Sequence, residues 1–300
     1  MVTGMATQTQ LNYQWDLEND NINWQGPIDK FFTSRLMSQG SSFLEQLDIS
    51  TFWSYLSTLE EKSKDAADEA TFEHLLKNRE GNYIKVKHLA QFIKDSTGHI
   101  LSLQGTLSVD VTACDDPQKD ISNQIDPVTF LPNIHLLAEN LGEYIAECQN
   151  TRQQGALVAL YFDNLIRLNT VYGTEKIKQL FFNMAKAIRQ QIRFDDYFAQ
   201  SHACVFALIL RDCDENSIES FSTRLHSILS DVSQTLTGNP HAISAHIGGI
   251  LIDPKDDAGA LIERVLQHVH DLPAVSKAPE NETEGNSSES ESMDRRKSDD

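Results

Sequence analysis

His202 and Cys204 are the two residues of this sequence whose types and spacing most directly suggest chemistry. They lie in RFDDYFAQSHACVFALIL, residues 193–210, where a thiol beside an imidazole suggests a nucleophile. A zinc site of Cys204, His202 and Cys213 would need a fourth ligand, and none has a motif spacing. We favour the alternative that Cys204 is a small buried hydrophobic side chain.

The same stretch is typical of two strands joined by a tight turn. Phe194, Tyr197 and Phe198 indicate the first strand, and the apolar run 204–210 indicates the second. The turn is then predicted over residues 200–203. Hairpin tips usually contain Gly, Asn or Asp, whereas this one has no glycine, proline or carboxylate. Its composition therefore needs an explanation.

The composition excludes several classes of function. A chain of 300 residues with 40% apolar residues predicts two globular domains. The net charge of −19 argues against binding nucleic acid or an anionic membrane through bulk charge, and favours protein or small-molecule partners. The sequence has no apolar run of about 20 residues and no secretory signal, so we expect a cytoplasmic protein without membrane insertion. The four cysteines are expected to be thiols.

In the first half of the sequence, apolar and polar residues alternate as they do in the strands of an antiparallel sheet. A hairpin is predicted over residues 11–24, followed by helical fragments as far as Glu61. Three strand-like runs follow at 69–78, 82–93 and 98–112, joined by short polar turns. Period-two patterning with turns this close predicts a meandering antiparallel sheet.

This half resembles a PAS sensor domain over residues 11–112. The resemblance rests on the order of its motifs: a WD–L–ND–I–W opening, central short helices, and strands that close on Asp110-Val111-Thr112. It implies a homodimer formed through the N-terminal segment and the sheet. A PAS interior could hold haem, flavin or a metabolite, with His74, His88 and His99 as candidate axial ligands. Because His88 shares a strand face with apolar residues, we interpret it as a core or interface histidine and predict no tight cofactor.

The second half alternates helices with strands. Helices are predicted at 134–152, 174–193, 216–236 and 258–272, with strands at 155–162 and 241–252 besides the hairpin. The sequence therefore predicts an α/β sandwich over residues 126–273. A polar linker, 113–125, precedes it, with too few apolar residues for a coiled coil. Residues 1–10 are an N-terminal segment, and the acidic tail 274–300 is predicted to be disordered.

Two motifs in this half resemble GGDEF domains, the diguanylate cyclases. The run 126–133, DPVTFLPN, resembles the family's Asp-x-Leu-Thr-Gly-Leu-Pro-Asn-Arg opening, and the run 165–173, LIRLNTVYG, resembles Phe-Lys-x-Ile-Asn-Asp-x-Tyr-Gly. The resemblance places the hairpin at the Gly-Gly-Asp/Glu-Glu-Phe signature. His202-Ala203-Cys204-Val205-Phe206 is then the signature loop, with only its Phe retained.

The resemblance also implies which chemistry is missing. Joining two GTP molecules requires two divalent cations, and these require carboxylate oxygens. The family's metal carboxylates correspond to Tyr161, Cys204 and Val205 here, although Asp163 survives beside the first. The phosphate-binding Lys corresponds to Ile166. Of the two guanine-reading residues Asn169 remains, and the acidic one corresponds to Lys178.

A third motif resembles the family's inhibitory site for cyclic-di-GMP. Arg193 and Asp196 match its Arg-x-x-Asp, five residues before the signature loop, and Arg224 stands where some members have a supporting Arg. Arginine can bind guanine O6 and N7 or a phosphate, and a carboxylate accepts guanine N–H groups. Alternatively, Arg193 complements a helix C-terminus and Asp196 begins a turn.

These features predict a non-enzymatic bacterial adaptor or regulatory protein. A PAS domain and a catalytically inactive GGDEF domain would act through protein–protein contacts, with another signalling enzyme or within an assembly such as a secretion or pilus apparatus. The alternative is a cyclic-di-GMP receptor that uses Arg193 and Asp196. An active cyclase is the weakest hypothesis.

Overall fold

The computed structural model describes most of the chain. The described residues are 9–32, 38–64, 68–96, 98, 100–116, 119–120, 123–151 and 153–273. His99, most of the N-terminal segment 1–10 and the predicted disordered tail 274–300 lie outside them.

The N-terminal half is built around a five-stranded antiparallel sheet. Its strands are β1 (Thr9–Asp16), β2 (Asn21–Gln25), β3 (Glu69–Lys77), β4 (Tyr83–Lys94) and β5 (Ile100–Cys114), in the order β2-β1-β5-β4-β3. Residues 84, 86, 88, 90 and 92 of β4 are buried, and the residues between them are exposed, as the period of two requires. The predicted hairpin and meander are confirmed.

Two helices cover the inner face of this sheet, preceded by a single 3-10 turn at Ile28–Lys30. They are α1 (Gly40–Glu45) and α2 (Ile49–Lys64). Phe43 of α1 and Tyr55 of α2 reach the rings of His74 and His88 on the sheet, with ring centroids 5.8–6.1 Å apart. His88 is a core histidine, 1% exposed.

The C-terminal half is a four-stranded sheet between two groups of helices. Its strands are β6 (Gly155–Phe162), β7 (Tyr197–His202), β8 (Val205–Arg211) and β9 (Ala245–Leu251), in the order β7-β8-β6-β9, and every neighbouring pair is antiparallel. The helices are α3 (Ile134–Thr151), α4 (Leu165–Tyr172), α5 (Thr174–Arg189), α6 (Glu215–Thr237) and α7 (Ala258–Asp271). α3 and α7 contact each other and the sheet, while α5 packs between α4 and α6. All eight residues of β6 are buried.

Several boundaries differ from the sequence prediction. α4 was not predicted, and β9 begins at Ala245 rather than at residue 241. α5 ends at Arg189, four residues early, because the N–H groups of Gln190 and Gln191 donate to carbonyls three residues back and tighten the last turn. Phe194, predicted to begin a strand, precedes β7 and is fully exposed.

α2 is shared by the two halves. It packs on β3 with one face and on α4 and α5 with another. The rings of Phe52 and Trp53 lie 6.1 and 5.3 Å from the ring of Phe181 on α5. This contact accounts for the burial of Phe52 and Trp53, which are 0% and 6% exposed. No helix in the described ranges is both long enough and apolar enough to cross a bilayer.

Candidate functional site

The β7–β8 turn is shorter than predicted and is buried. β7 continues to His202, so Ala203 and Cys204 form the turn, and both are 0% exposed. The Cys204 carbonyl accepts the Phe162 N–H at 2.9 Å. Residues 202–205 all have negative φ angles. This turn therefore has no conformational need for glycine, and its burial favours small apolar side chains.

Gln200 fixes the turn from within β7, where the sequence had placed it in the turn itself. It is fully buried. Its Nε2 donates to the Ala203 carbonyl at 3.2 Å, its backbone N–H donates to the Pro132 carbonyl at 2.9 Å, and its Oε1 lies 2.9 Å from the Thr129 hydroxyl oxygen. The turn and the 126–133 loop are thus one hydrogen-bonded unit.

Asp126 anchors that loop and connects it to the N-terminal half. Its Oδ1 accepts the Val128 N–H at 3.0 Å and both the N–H and hydroxyl of Thr129. Its Oδ2 accepts the Trp53 indole N–H at 2.8 Å. Since Asp126 is 1% exposed, these four bonds satisfy a carboxylate that would otherwise be costly to bury.

Tyr161 and His270 occupy the centre of the site. Tyr161, predicted from the resemblance to stand where the family has a metal carboxylate, is fully buried at the end of β6, and its ring centroid lies 4.3 Å from that of His270 on α7. His270 Nε2 lies 2.9 Å from Glu45 Oε1. Because Glu45 belongs to α1, the N-terminal half reaches the same point. Burial raises the pKa of Glu45, and the nearby His270 opposes that rise.

Asp163, the carboxylate that the resemblance predicts to survive beside the metal position, contacts other residues of the protein. It is 8% exposed. Its Oδ2 lies 3.2 Å from the Ser244 hydroxyl and 3.3 Å from His246 Nε2, and its Oδ1 accepts from Asn164 at 3.2 Å. The carboxylate is therefore surrounded by donors of its own chain.

Cys204 and His202 have protonation states that disfavour a thiol nucleophile. Burial raises the pKa of the Cys204 thiol well above its usual value, so the sulfur stays protonated. Burial, together with the charges of Lys77 and His270, lowers the pKa of His202 to about 3. Within the part of the chain that the structure describes, no group of three or more His, Cys, Asp or Glu side chains is placed to hold a metal ion.

Asn169, predicted from the resemblance to be a guanine-reading residue, is covered by α2. It is 0% exposed, and its Nδ2 donates to the Leu56 carbonyl at 2.9 Å while its Oδ1 accepts from the Thr174 hydroxyl at 3.0 Å. Glu60 of α2 accepts the Thr174 N–H at 2.6 Å. Lys178 is predicted to stand where the family has its second, acidic guanine-reading residue. Its Nζ forms an ion pair with Glu175 at 2.8 Å.

Two other positions taken from the family pattern have apolar environments. Ile166, which corresponds to the phosphate-binding Lys, is 2% exposed, and Val205 of the signature loop is 0% exposed. Both side chains belong to the core.

Arg193 and Asp196 come together, but Arg224 belongs to another part of the fold. Asp196 accepts the Arg193 N–H at 2.8 Å and the Arg211 N–H at 2.9 Å, one on each carboxylate oxygen. The exposed Arg193 side chain donates to the Arg211 carbonyl at 3.4 Å. Arg224 lies over the ring of Phe221 on α6, about 15 Å along the helix from its first residues.

The sequence alone did not identify several residues of this site. Trp53, Glu60 and Glu45 belong to helices of the other half, and His270 lies close to the end of α7. The local pattern identified these as helical or core positions. It contained no signal that the two halves meet, since this contact joins residues more than 100 positions apart.

Sequence comparison provides the family. A family model described as "Diguanylate cyclase, GGDEF domain" matches residues 123–273, about half of the chain. The chain belongs to the GGDEF family. The uncharacterized protein sll1895 of Synechocystis is 28% identical over 153 residues, and the probable diguanylate cyclase DgcE of Escherichia coli is 27% identical over 143 residues. These segments cover 49% and 48% of this chain but only 22% and 13% of the relatives.

Solved GGDEF structures resemble the same portion of the chain. The GGDEF domain of FimX from Pseudomonas aeruginosa has 20% identity and a TM-score of 0.44, covering 49% of this chain and 92% of that domain. The coiled coil and GGDEF domain of DgcB from Caulobacter crescentus, in complex with c-di-GMP, has 19% identity and a TM-score of 0.43, covering 50% and 80%. These two likenesses concern the fold alone.

Proposed function

We propose that this GGDEF protein is a non-enzymatic regulatory protein that acts through protein–protein contacts. The observation that carries the proposal is the burial of Asn169 against α2. A guanine base cannot reach this side chain while the Leu56 carbonyl accepts its amide hydrogen. The substrate position is thus filled by the chain itself.

The residues at the metal positions support the same conclusion. Tyr161, Cys204 and Val205 are fully buried and offer no carboxylate oxygen, whereas Mg²⁺ requires oxygen ligands in nearly octahedral order. Asp163 alone cannot supply such a set, and its oxygens already face Ser244 and His246. We infer that a GGDEF fold without this chemistry is retained for its surfaces.

The N-terminal half contributes to this proposal as a PAS-like regulatory domain. Its antiparallel sheet, with two helices over one face, supports the resemblance. In this proposal the protein is a cytoplasmic homodimer, and α2 transmits changes in the sheet to α4 and α5.

Activity of the full chain tests the proposal. Incubation with GTP and Mg²⁺ or Mn²⁺ should give no cyclic-di-GMP above a protein-free blank, measured by chromatography. Metal-dependent turnover that disappears in Asp163→Asn would contradict the proposal, because it would show that the retained carboxylate holds a catalytic cation.

The second candidate function is a cyclic-di-GMP receptor. The exposed guanidinium of Arg193 favours it, with the fully exposed ring of Phe194 beside it. Against it, both carboxylate oxygens of Asp196 already accept backbone N–H groups. We therefore expect calorimetric titration with cyclic-di-GMP to show no binding.

A saturable binding heat that depends on Arg193 would make the receptor function the leading hypothesis. Micromolar binding corresponds to about −8 kcal/mol, and Arg193→Ala should then weaken it by about ten- to a hundredfold. Arg224→Ala is the matched control, since Arg224 lies elsewhere on α6. Equal loss in both variants would indicate a general charge effect rather than a specific site.

A further inference from the structure

A cleft of about 430 Å³ lies between the two halves of the protein. Its walls come from the β3–β4 turn and α1 on one side, and from the β7–β8 hairpin and α7 on the other. Its volume falls within the range of small-molecule sites, which are common at domain interfaces. Neither the GGDEF assignment nor the proposed function gives this cleft an occupant.

The floor of the cleft contains buried polar atoms without hydrogen-bond partners. They are Glu45 Oε1, Gln267 Oε1 and His270 Nε2. Glu45 Oε1 and His270 Nε2 are 2.9 Å apart, within ion-pair distance, but are not aligned as a hydrogen bond. Buried polar atoms are almost always bonded. Glu45 Oε1 and Gln267 Oε1 can only accept, so a ligand that bonds to both oxygens must be a hydrogen-bond donor.

The mouth of the cleft offers donors for an anion. Lys77 and Arg79 line it, and the Lys77 charge helps to lower the pKa of His202 on the opposite wall. The Arg79 guanidinium has five N–H donors, and Nη1 donates to the Asp29 carbonyl at 3.2 Å. Glu80 and Glu263 also line the cleft, so it combines both signs of charge rather than forming a simple anion site.

We propose that this cleft binds a small zwitterion, a free α-amino acid. The ammonium group donates to the oxygens of Glu45 and Gln267 at the floor, and the carboxylate accepts from Lys77 and Arg79 at the mouth. An ammonium beside Glu45 adds to the compensation that His270 already gives this buried carboxylate. Because Glu45, Lys77 and Arg79 belong to one half and Gln267 to the other, the ligand bridges the two halves and stabilises their contact.

Ligand titration of the full chain tests this assignment. The twenty standard L-amino acids, added singly at millimolar concentration, are screened for an increase in melting temperature, and each hit is measured by calorimetry. At least one should give a saturable one-to-one heat. The α-hydroxy acid with the same side chain should bind far more weakly, since it lacks the ammonium group.

Variants at the mouth locate the site. Arg79→Gln and Lys77→Gln should each weaken binding about tenfold or more, as expected for loss of a charge-assisted bond. Lys87→Gln, which removes an exposed lysine from β4 outside the cleft, should leave the affinity unchanged. The proposal is overturned if none of the amino acids binds, if Arg79→Gln and Lys77→Gln bind as the wild type does, or if the hydroxy acid binds equally well.

Discussion

At the scale of single residues, His74 shows how strongly the interior of the N-terminal half controls protonation. It is 7% exposed, and both ring nitrogens lack hydrogen-bond partners. Its ring lies 5.5, 5.9 and 6.1 Å from those of His88, Tyr55 and Phe43. Burial lowers the pKa of His74 to about 4, opposed by the charge of Asp48. The imidazole is therefore neutral at pH 7.

This pKa predicts a loss of stability in mild acid. An unfolded histidine has a pKa near 6.5, so below that pH protons bind preferentially to the unfolded chain. The contribution of His74 is fully present above about pH 6.5 and is lost as the pH falls towards 4, by up to about 3 kcal/mol in total. Urea unfolding at several pH values between 7.5 and 4.5 measures the slope, which His74→Phe should reduce.

The exposed His241 provides the control for this prediction. His241→Asn removes a histidine at the surface, so its pH slope should match that of the wild type. His88 and His202 also have lowered pKa values because of burial, and the slope in His74→Phe should therefore be smaller rather than zero. A slope in His74→Phe that equals the wild-type slope would contradict the assignment.

At the scale of elements, α2 connects the halves partly through one carboxylate. Glu60 accepts the Thr174 N–H at the first turn of α5 and pairs with Lys64 at 2.5 Å. A negative charge is favourable at this helix end. The bonds from Lys64 and Thr174 lower the pKa of Glu60 to about 2, so the carboxylate is ionised throughout the neutral range.

Removal of this carboxylate should weaken the contact between α2 and α5. Glu60→Ala leaves the Thr174 N–H without its partner and removes the helix-end charge, which should lower the free energy of unfolding by about 1–2 kcal/mol. Glu61→Ala, at the exposed neighbouring position, should have little effect. Chemical denaturation at pH 7 measures both variants, and equal values would show that the Glu60 contact contributes nothing specific.

The sequence predicted those elements whose own pattern defines them. β3 alternates strictly between buried and less buried positions, β4 alternates from Ile84 to Phe92, and α6 has a continuous helical face. α4 has only eight residues, too few for a helical period to stand out from the apolar residues around it. The β7–β8 turn was misplaced because Gln200 and Ser201 resemble turn residues. Gln200 is instead held in the interior by Thr129 and Pro132, which are distant in sequence.

The candidate site was only partly predictable for the same reason. The apolar run around Cys204 correctly indicated a buried side chain. In contrast, the hydrogen bond between Asn169 and Leu56 joins residues 113 positions apart. The sequence of α2 does not distinguish the face that packs on the sheet from the face that packs on α4 and α5. Contacts between the two halves depend on how well their surfaces fit each other. The apolar periodicity within one segment carries no information about that fit.

At the scale of the whole molecule, polar contacts across the shared helix should make the two halves unfold together. Trp53 donates to Asp126, Asn169 donates to the Leu56 carbonyl, and the Thr174 N–H donates to Glu60. Each is buried or half-buried, so loss of one partner leaves a polar group without compensation, at a cost of about 1–3 kcal/mol. Neither half can separate without breaking all three.

Two spectroscopic probes can test this coupling. The three tryptophans, Trp15, Trp24 and Trp53, all lie in the N-terminal half, whereas five of the seven described α-helices lie in the C-terminal half. Tryptophan fluorescence therefore reports mainly on one half, and the helical circular dichroism signal mainly on the other. The wild type should give coincident denaturation curves by both probes, as two-state unfolding requires.

Disruption of the shared contacts should separate the two curves. In Glu60→Ala/Asn169→Ala, two of the three polar bonds across α2 are lost, and we expect the fluorescence midpoint to fall below the midpoint of the circular dichroism curve. Glu61→Ala/Asn150→Ala is the matched control, because both positions are exposed and the Asn150 amide donates to the Ala146 carbonyl within α3. Separate curves in the wild type, or coincident curves in the first double variant with an unchanged midpoint, would show that the halves are not coupled through α2.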